Sequence, residues 1–179
     1  MANPDFYDIL QNEYLLKHRW NERNPAVCRY IPAGSSILDL GCGDKDILNF
    51  IECDDYWGVD LCPLADQVHD FDHELLEFGR TWDVGLLLGV ITYPKDVDKF
   101  LNHYKKFAKR WIIVINPKEY YLKSEWNNYF NNESLVKLLQ SHFGYVSLPM
   151  NIATTIPTLY TGDYKNFTMC ICSNSPIQI

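Results

Sequence analysis

The stretch Ser36-Ile37-Leu38-Asp39-Leu40-Gly41-Cys42-Gly43-Asp44 restricts what this chain can fold into more than any other part of it. Ile37, Leu38 and Leu40 predict a strand covered on both faces, as in a parallel sheet. Gly41 and Gly43 predict a sharp turn that a ligand can approach closely, where a Cβ would collide. Asp44 stands where it can cap an amphipathic helix over 45–53, with Ile47, Leu48 and Ile51 on one face. Strand, glycine turn and helix start together make a nucleotide-type cofactor site at the carboxyl edge of a sheet. A glycine pair alone also suits an ordinary tight strand–helix turn.

Two further features favour the cofactor site. Asp39 lies inside the strand end, where a carboxylate is costly without a polar partner. Tyr56-Trp57-Gly58-Val59-Asp60 reads as a second strand ending in an acid, 19 residues after Gly41. That is where an α/β site holds ribose hydroxyls.

With Leu-Asp-Leu-Gly-Cys-Gly at 38–43, Gly-Val-Asp at 58–60 and the downstream spacing, the chain resembles class I S-adenosylmethionine (SAM)-dependent methyltransferases of small-molecule type over roughly 36–172. The resemblance implies an α/β fold: a doubly wound, mostly parallel seven-stranded sheet with an antiparallel terminal strand pair and helices on both faces. It divides the chain into a helical lead-in over 1–35 and a SAM-binding domain over 36–179, one domain overall. The rival is a nicotinamide-binding Rossmann domain. Its fingerprint wants a third glycine three residues after Gly43, and Asp46 stands there.

The resemblance also implies roles. Asp39, Gly41, Cys42, Gly43 and backbone amides near Asp44 would hold the amino-acid end of the cofactor. Asp60 would take the ribose hydroxyls, with Leu61 beside the adenine. Asp70 would receive the adenine amino group and Phe71 would lie against the ring. Asp72 competes with Asp70, or else caps a helix over 73–78. Gly89 would sit near the transferred methyl. Many relatives read Glu-His, an apolar residue and Pro after the fourth strand; here Ile91-Thr92-Tyr93-Pro94 leaves Thr92 and Tyr93 as the polar groups. His69 is a candidate base or a structural histidine. The Asn-Pro-Pro-Tyr of amino-methylating enzymes is absent from that place. A sulfonium is already an activated methyl donor, so alignment and water exclusion matter most. A poorly nucleophilic hydroxyl would need a base within reach, which tilts the acceptor towards an amine, thiol or carboxylate.

At 179 residues the chain suits one domain with a sizeable core, and 47% hydrophobic content describes a globular protein. A net charge of −7 argues against a general nucleic-acid binder. Neither a signal peptide nor an apolar run of membrane-spanning length is recognisable. Six cysteines without a Cys-x-x-Cys pair read as core thiols in a reducing compartment rather than disulfides or zinc ligands, so a cytoplasmic protein without a metal is expected.

The remaining pattern predicts a short helix opening at Asn24-Pro25 and ending near Tyr30. It further predicts a third strand over 66–69, a fourth over 82–91, a helix over 95–110 and a fifth strand over 111–115. A helix over 132–142 and strands over 145–148 and 167–172 complete it. Long connections at 117–131 and 149–165 are candidate lids, edge covers or dimer contacts. Tyr14 and Trp20 of the lead-in, with Tyr120, Tyr121 and Trp126, either line an acceptor pocket or pack on the sheet. The expected acceptor is a small molecule, with S-adenosylhomocysteine (SAH) as the cofactor product; protein and nucleic acid rank below it. The alternative is a SAM-binding module without catalysis, acting as a partner subunit. A homodimer and a heteromer both remain open.

Overall fold

The computed structural model describes residues 23–115, 127–153 and 166–176. Its centre is β1 (Ser36–Leu40), whose Ile37, Leu38 and Leu40 are fully buried. Parallel partners flank it: β2 (Asp55–Asp60) on one side and β4 (Trp82–Leu88) on the other. A two-residue β3 (Gln67–Val68) extends the sheet beyond β2, and β5 (Ala108–Ile115) extends it beyond β4. The antiparallel β8 (Asn166–Ser173) follows β5 and is bordered in turn by β6 (Tyr145–Val146) and β7 (Met150–Ala153). The order β3-β2-β1-β4-β5-β8-β6, with β7 also on β8, is the expected doubly wound sheet.

The edge strand is in two pieces for a local reason. Val146 pairs with Cys172 and Met150 with Met169, so the register slips by one residue between them. Ser147 fills the slip: its N–H donates to the Ile171 carbonyl and its Oγ accepts from the Ile171 N–H. This is a bulge on an edge strand, and it bends that strand without leaving the ladder unsatisfied.

Alternation along the strands sorts the core into two layers. Leu38, Leu40, Val59, Trp111, Ile113, Cys170 and Cys172 face one side, while Ile37, Leu86, Ile112, Val114 and Met169 face the other. The first layer is covered by α1 (Val97–Tyr104) and α2 (Asn132–His142). Onto the second layer packs Val27, from a helical segment over 23–28. Helical conformation is thus already present at Arg23, ahead of the expected Asn24-Pro25 start. Among the described residues no helix is long and apolar enough to cross a membrane.

The crossovers hold less helix than their periodicity predicts. Instead of a helix over 45–53 there is a single 3-10 turn, Asp46–Asn49. Asn49 Nδ2 bonds both the carbonyl and the carboxylate of Asp46, the kind of local side-chain bonding that competes with helix propagation. Ile47 is buried as expected, whereas Leu48 is exposed. No helix forms over 73–78 either. That segment runs as a strap: Leu76 N donates to the Tyr104 hydroxyl, the His103 ring bonds the Leu76 carbonyl, and Leu75, Leu76 and Phe78 pack on the first core layer. Tertiary contacts with α1 outweigh the strap's own helical preference.

The later helices follow their signals. Asp96 caps α1 by accepting from Lys99 N, and Asn131 with Ser134 forms a reciprocal capping box on α2. α1 ends earlier than expected. A 3-10 turn (Lys105–Phe107) follows it, the Trp111 indole donates to the Lys105 carbonyl, and 108–110 join β5.

Candidate functional site

The strand order reverses between β1 and β4, and ligand clefts in such sheets lie outside the carboxyl ends at that reversal. A cleft opens there, bounded by the end of β1, the glycine turn, Leu88 of β4 and the helical segment at 23–28.

Asp39 is 2% exposed. Its Oδ2 accepts from the Tyr56 hydroxyl at 2.8 Å, and its Oδ1 is buried with no hydrogen-bond partner. Burial pushes the carboxyl up to about 7, against the Tyr56 hydrogen bond and the Arg23 guanidinium, which pull it down. The Tyr56 hydroxyl is itself held far above its ordinary value by burial and by Asp39.

The turn after β1 is built on two anchors. Gly41 N donates to the Val59 carbonyl at 2.7 Å, and Gly43 N to Asp60 Oδ2 at 2.8 Å. Gly41 has φ +83°, and a Cβ there would lie 2.7 Å from the Val90 side chain. Nothing lies within 4 Å of where a Gly43 Cβ would stand, so the backbone there is open to a ligand. Asp44 is exposed and caps no helix; the residue flanking the 3-10 turn is Lys45, at φ 62°. The expected helix N-terminus at this turn is therefore absent. Lys45 instead ion-pairs with Asp66, whose other oxygen accepts from Gly58 N.

Asp60 is buried and occupied on both oxygens, Oδ2 by Gly43 N and Oδ1 by Cys62 N at 2.9 Å. It thus joins the glycine turn to the turn after β2. Each carboxylate oxygen has a second lone pair with which a hydroxyl can still bond. Leu61 follows, half-buried.

Beyond β3, His69 N donates to the Asp60 carbonyl, which carries Asp70 towards the same edge. Asp70 Oδ1 accepts from Asp72 N, and Asp72 Oδ1 accepts from Lys95 N. Asp72 therefore ties two loops together and does not cap a helix. The Phe71 ring packs edge-on against Phe100 and Tyr104 at 5.3 and 5.6 Å, as part of the core. The His69 ring bonds the Glu74 carbonyl at 2.6 Å.

At the end of β4, Gly89 (φ +90°) donates to the Val114 carbonyl. Thr92 is buried, with its hydroxyl on the Gly89 carbonyl at 3.1 Å. The backbone around it is stapled by two asparagines. Both Asn127 N and Asn128 N donate to the Thr92 carbonyl, Asn127 Nδ2 to Tyr93 and Asn128 Nδ2 to Pro94. Tyr93 is half-buried and close enough to Arg23 to stabilise its charge. Tyr14, Trp20, Tyr120, Tyr121 and Trp126 lie outside the described residues.

Three polar cleft residues lie outside the glycine motif: Arg23, Asn24 and Asp46. Arg23 Nη1 donates to the Leu88 carbonyl at 2.9 Å and Nε to Asn24 Oδ1, while Asn24 Nδ2 donates to Asp46 Oδ2. Burial lowers the guanidinium to about 10, opposed by Asp39, Asp46 and Tyr93. A charged residue shortly before the glycine motif was the one available hint, and it resembles any surface arginine.

No protein-family model matches the chain, and no curated protein matches it in sequence. Solved structures do match it in fold. One is the complex between the Haloferax volcanii Trm112 methyltransferase activator and a putative methyltransferase (TM-score 0.73, 14% identity, 94% of this chain and 97% of that one). Another is the plantazolicin methyltransferase BpumL with SAH (TM-score 0.70, 12% identity, 97% and 92%). A third is the N-methyltransferase NodS from Bradyrhizobium japonicum with SAH (TM-score 0.66, 12% identity, 97% and 94%). The chain has the fold of the class I SAM-dependent methyltransferases, with its cleft at the sheet's reversal point.

Proposed function

We propose that this chain is a SAM-dependent methyltransferase acting on a small-molecule acceptor at a nitrogen, an oxygen or a carboxylate. The observation that carries the reading is Asp39 Oδ1, an orphaned acceptor buried at the floor of a cleft under a glycine turn. A buried acceptor without a partner is unfavourable until something donates to it, and an ammonium group is the fitting donor. Gly43 keeps that approach clear of a side chain, and Gly41 lets the turn pack against Val90. Asp60, with Leu61 and Asp70 beyond it, supplies acceptors along the neighbouring edge for hydroxyls and an amino group. The solved structures described as methyltransferases with SAH support the same cofactor here. The NAD alternative fits less well, because the glycine turn lacks the helix start on which a pyrophosphate would rest.

When bound, SAM supplies a methyl already activated as part of a sulfonium. The chain's own task is then to orient it and exclude water. The Thr92 hydroxyl and the His69 ring are both committed to carbonyls. This favours an acceptor that needs little help from a base, such as an amine or a carboxylate.

A second reading, a partner subunit of a heteromer, has its own observation. The short crossovers after β1 and β2 leave Leu48, Phe50 and Leu64 exposed, and Val68 of β3 is exposed as well. The Haloferax volcanii chain of this fold was solved with an activator protein. Free thiols at all six cysteines fit a reducing, cytoplasmic setting.

Calorimetric titration with SAM, SAH and NADH tests the main reading. Micromolar binding of SAM and SAH that Asp39→Asn weakens is expected. Binding of NADH without a SAM response would overturn it. Turnover with an acceptor panel then separates the enzyme from the partner subunit, which would bind tightly without turnover.

A further inference from the structure

We infer that Tyr56 is a positioning residue of this site: its hydroxyl pins one oxygen of Asp39 and so holds the other in place for a cationic group of the ligand. The inference rests on the SAM reading of the cleft and assigns a residue outside the cleft lining.

The register places Gly58 directly opposite Asp39, and Tyr56 opposite Ile37. Side chains two residues apart on a strand share a face, so Tyr56 lies on the face of Asp39, one diagonal step away. Its hydroxyl spans that diagonal to Asp39 Oδ2 at 2.8 Å, and Gly58 puts no side chain in the way. A Cβ on Gly58 would stand 3.0 Å from Tyr56 Cε1 and 2.7 Å from Cys42 Sγ. The gap at Gly58 is therefore what lets the tyrosine reach. The Tyr56 ring packs against the second core layer, so the hydroxyl is delivered from a rigid strand.

Pinning Oδ2 fixes the torsion of the carboxyl group, and with it the direction of Oδ1, which is buried without a hydrogen-bond partner. The same bond bears on charge. Burial raises Asp39 to about 7, and the Tyr56 hydrogen bond is the largest influence opposing it, ahead of Arg23. The titratable groups facing Asp39 are Tyr56 and Asp60 from β2, Arg23 from the segment 23–28 and Cys42 from the glycine turn. Burial holds the Cys42 thiol and the Tyr56 hydroxyl protonated, so Tyr56 faces Asp39 as a donor at any working pH. Without that hydroxyl both Asp39 oxygens would lack a partner, and the carboxyl would stay protonated to higher pH. A neutral acid pairs poorly with a cation.

The test follows Asp39 in Tyr56→Phe, which keeps the ring and removes the hydroxyl. In protein labelled with 13C at the aspartate carboxyls, the NMR titration midpoint of Asp39 should move up by about one to two pH units. At pH 7 the variant should bind SAM about tenfold more weakly than wild type by calorimetry, and the gap should narrow at pH 8. Affinity for 5′-methylthioadenosine, which carries no ammonium, should stay unchanged. An unmoved Asp39 midpoint would overturn the inference and leave the SAM reading intact. Equal, pH-independent weakening of both ligands would overturn it too, since a purely structural tyrosine would give that result. Failure of wild type to bind SAM at all would overturn both. Wild type labelled at tyrosine Cζ gives a second measurement. Its Tyr56 signal should inflect at the pH where Asp39 titrates, and a flat response would sink the inference even where Tyr56→Phe does not fold.

Discussion

The Tyr56 hydroxyl donates to one oxygen of Asp39, a residue that lines the cleft, and leaves the other oxygen buried and without a hydrogen-bond partner. One side chain is thereby fixed by the fold on one atom and left without a hydrogen-bond partner on the other. The pH behaviour of the protein follows from it.

Asp39 titrates near 3.8 when unfolded and at about 7 when folded. Between these values the folded state holds the extra proton, so this group's contribution to stability falls as pH rises from about 4 to about 7 and stays lost above that. Asp39→Asn should abolish the slope. Relative to wild type, the variant should gain stability between pH 5 and pH 8, by up to about 3 kcal/mol. Urea denaturation at the two pH values checks this. Below pH 7 the protonated carboxyl is a poorer partner for an ammonium, so SAM affinity of wild type should be lower at pH 6 than at pH 7.5.

Asp60→Ala should lose more than the proposed ribose contact. Its carboxylate holds Gly43 N and Cys62 N, and each buried amide left without a partner costs about 1–3 kcal/mol. Both thermal stability and SAM affinity should fall. The affinity for 5′-methylthioadenosine, which has no amino-acid end, should fall with them. Unchanged stability in a thermal melt would show that Asp60 is not structural.

The Trp111 ring lies over Gly85, where a Cβ would come within 2.5 Å of it. Gly85→Ala therefore overpacks the centre of the sheet and should destabilise by roughly 2–3 kcal/mol. Trp111→Leu in the same chain should recover part of that loss. A denaturation cycle over both positions measures the coupling, and additive effects would contradict the predicted contact.

The asparagine staple predicts a strong preference for amide over carboxylate. Asn128→Asp keeps the shape but removes the donors to the Pro94 and Ile91 carbonyls and sets a charge against them. A loss of about 2 kcal/mol is expected, with Asn128→Ser milder. Hydrogen exchange at 91–94 should rise in the aspartate variant while exchange in β1 stays unchanged.

The sequence by itself determined those parts of the protein that depend on local pattern. The buried run before Gly41 could only be an inner strand. The Asn131–Ser134 box started α2 where its side chains bond its own backbone, and the spacing from Gly41 to Asp60 implied the parallel pair β1 and β2. The tertiary structure decided whatever depended on who stands opposite. The periodicity at 45–53 and 73–78 was helical, yet Asn49 bonding Asp46 and Leu76 bonding Tyr104 outweighed it. Nothing in the sequence showed that the Phe71 ring packs on Phe100 and Tyr104, or which of the two readings of His69, base or structural histidine, its bond to the Glu74 carbonyl would favour. Arg23 became part of the cleft only because packing of Val27 on the sheet brings its segment beside Leu88. Helical and strand periods are properties of neighbours along the chain, whereas a buried charge takes its meaning from partners that only folding brings together.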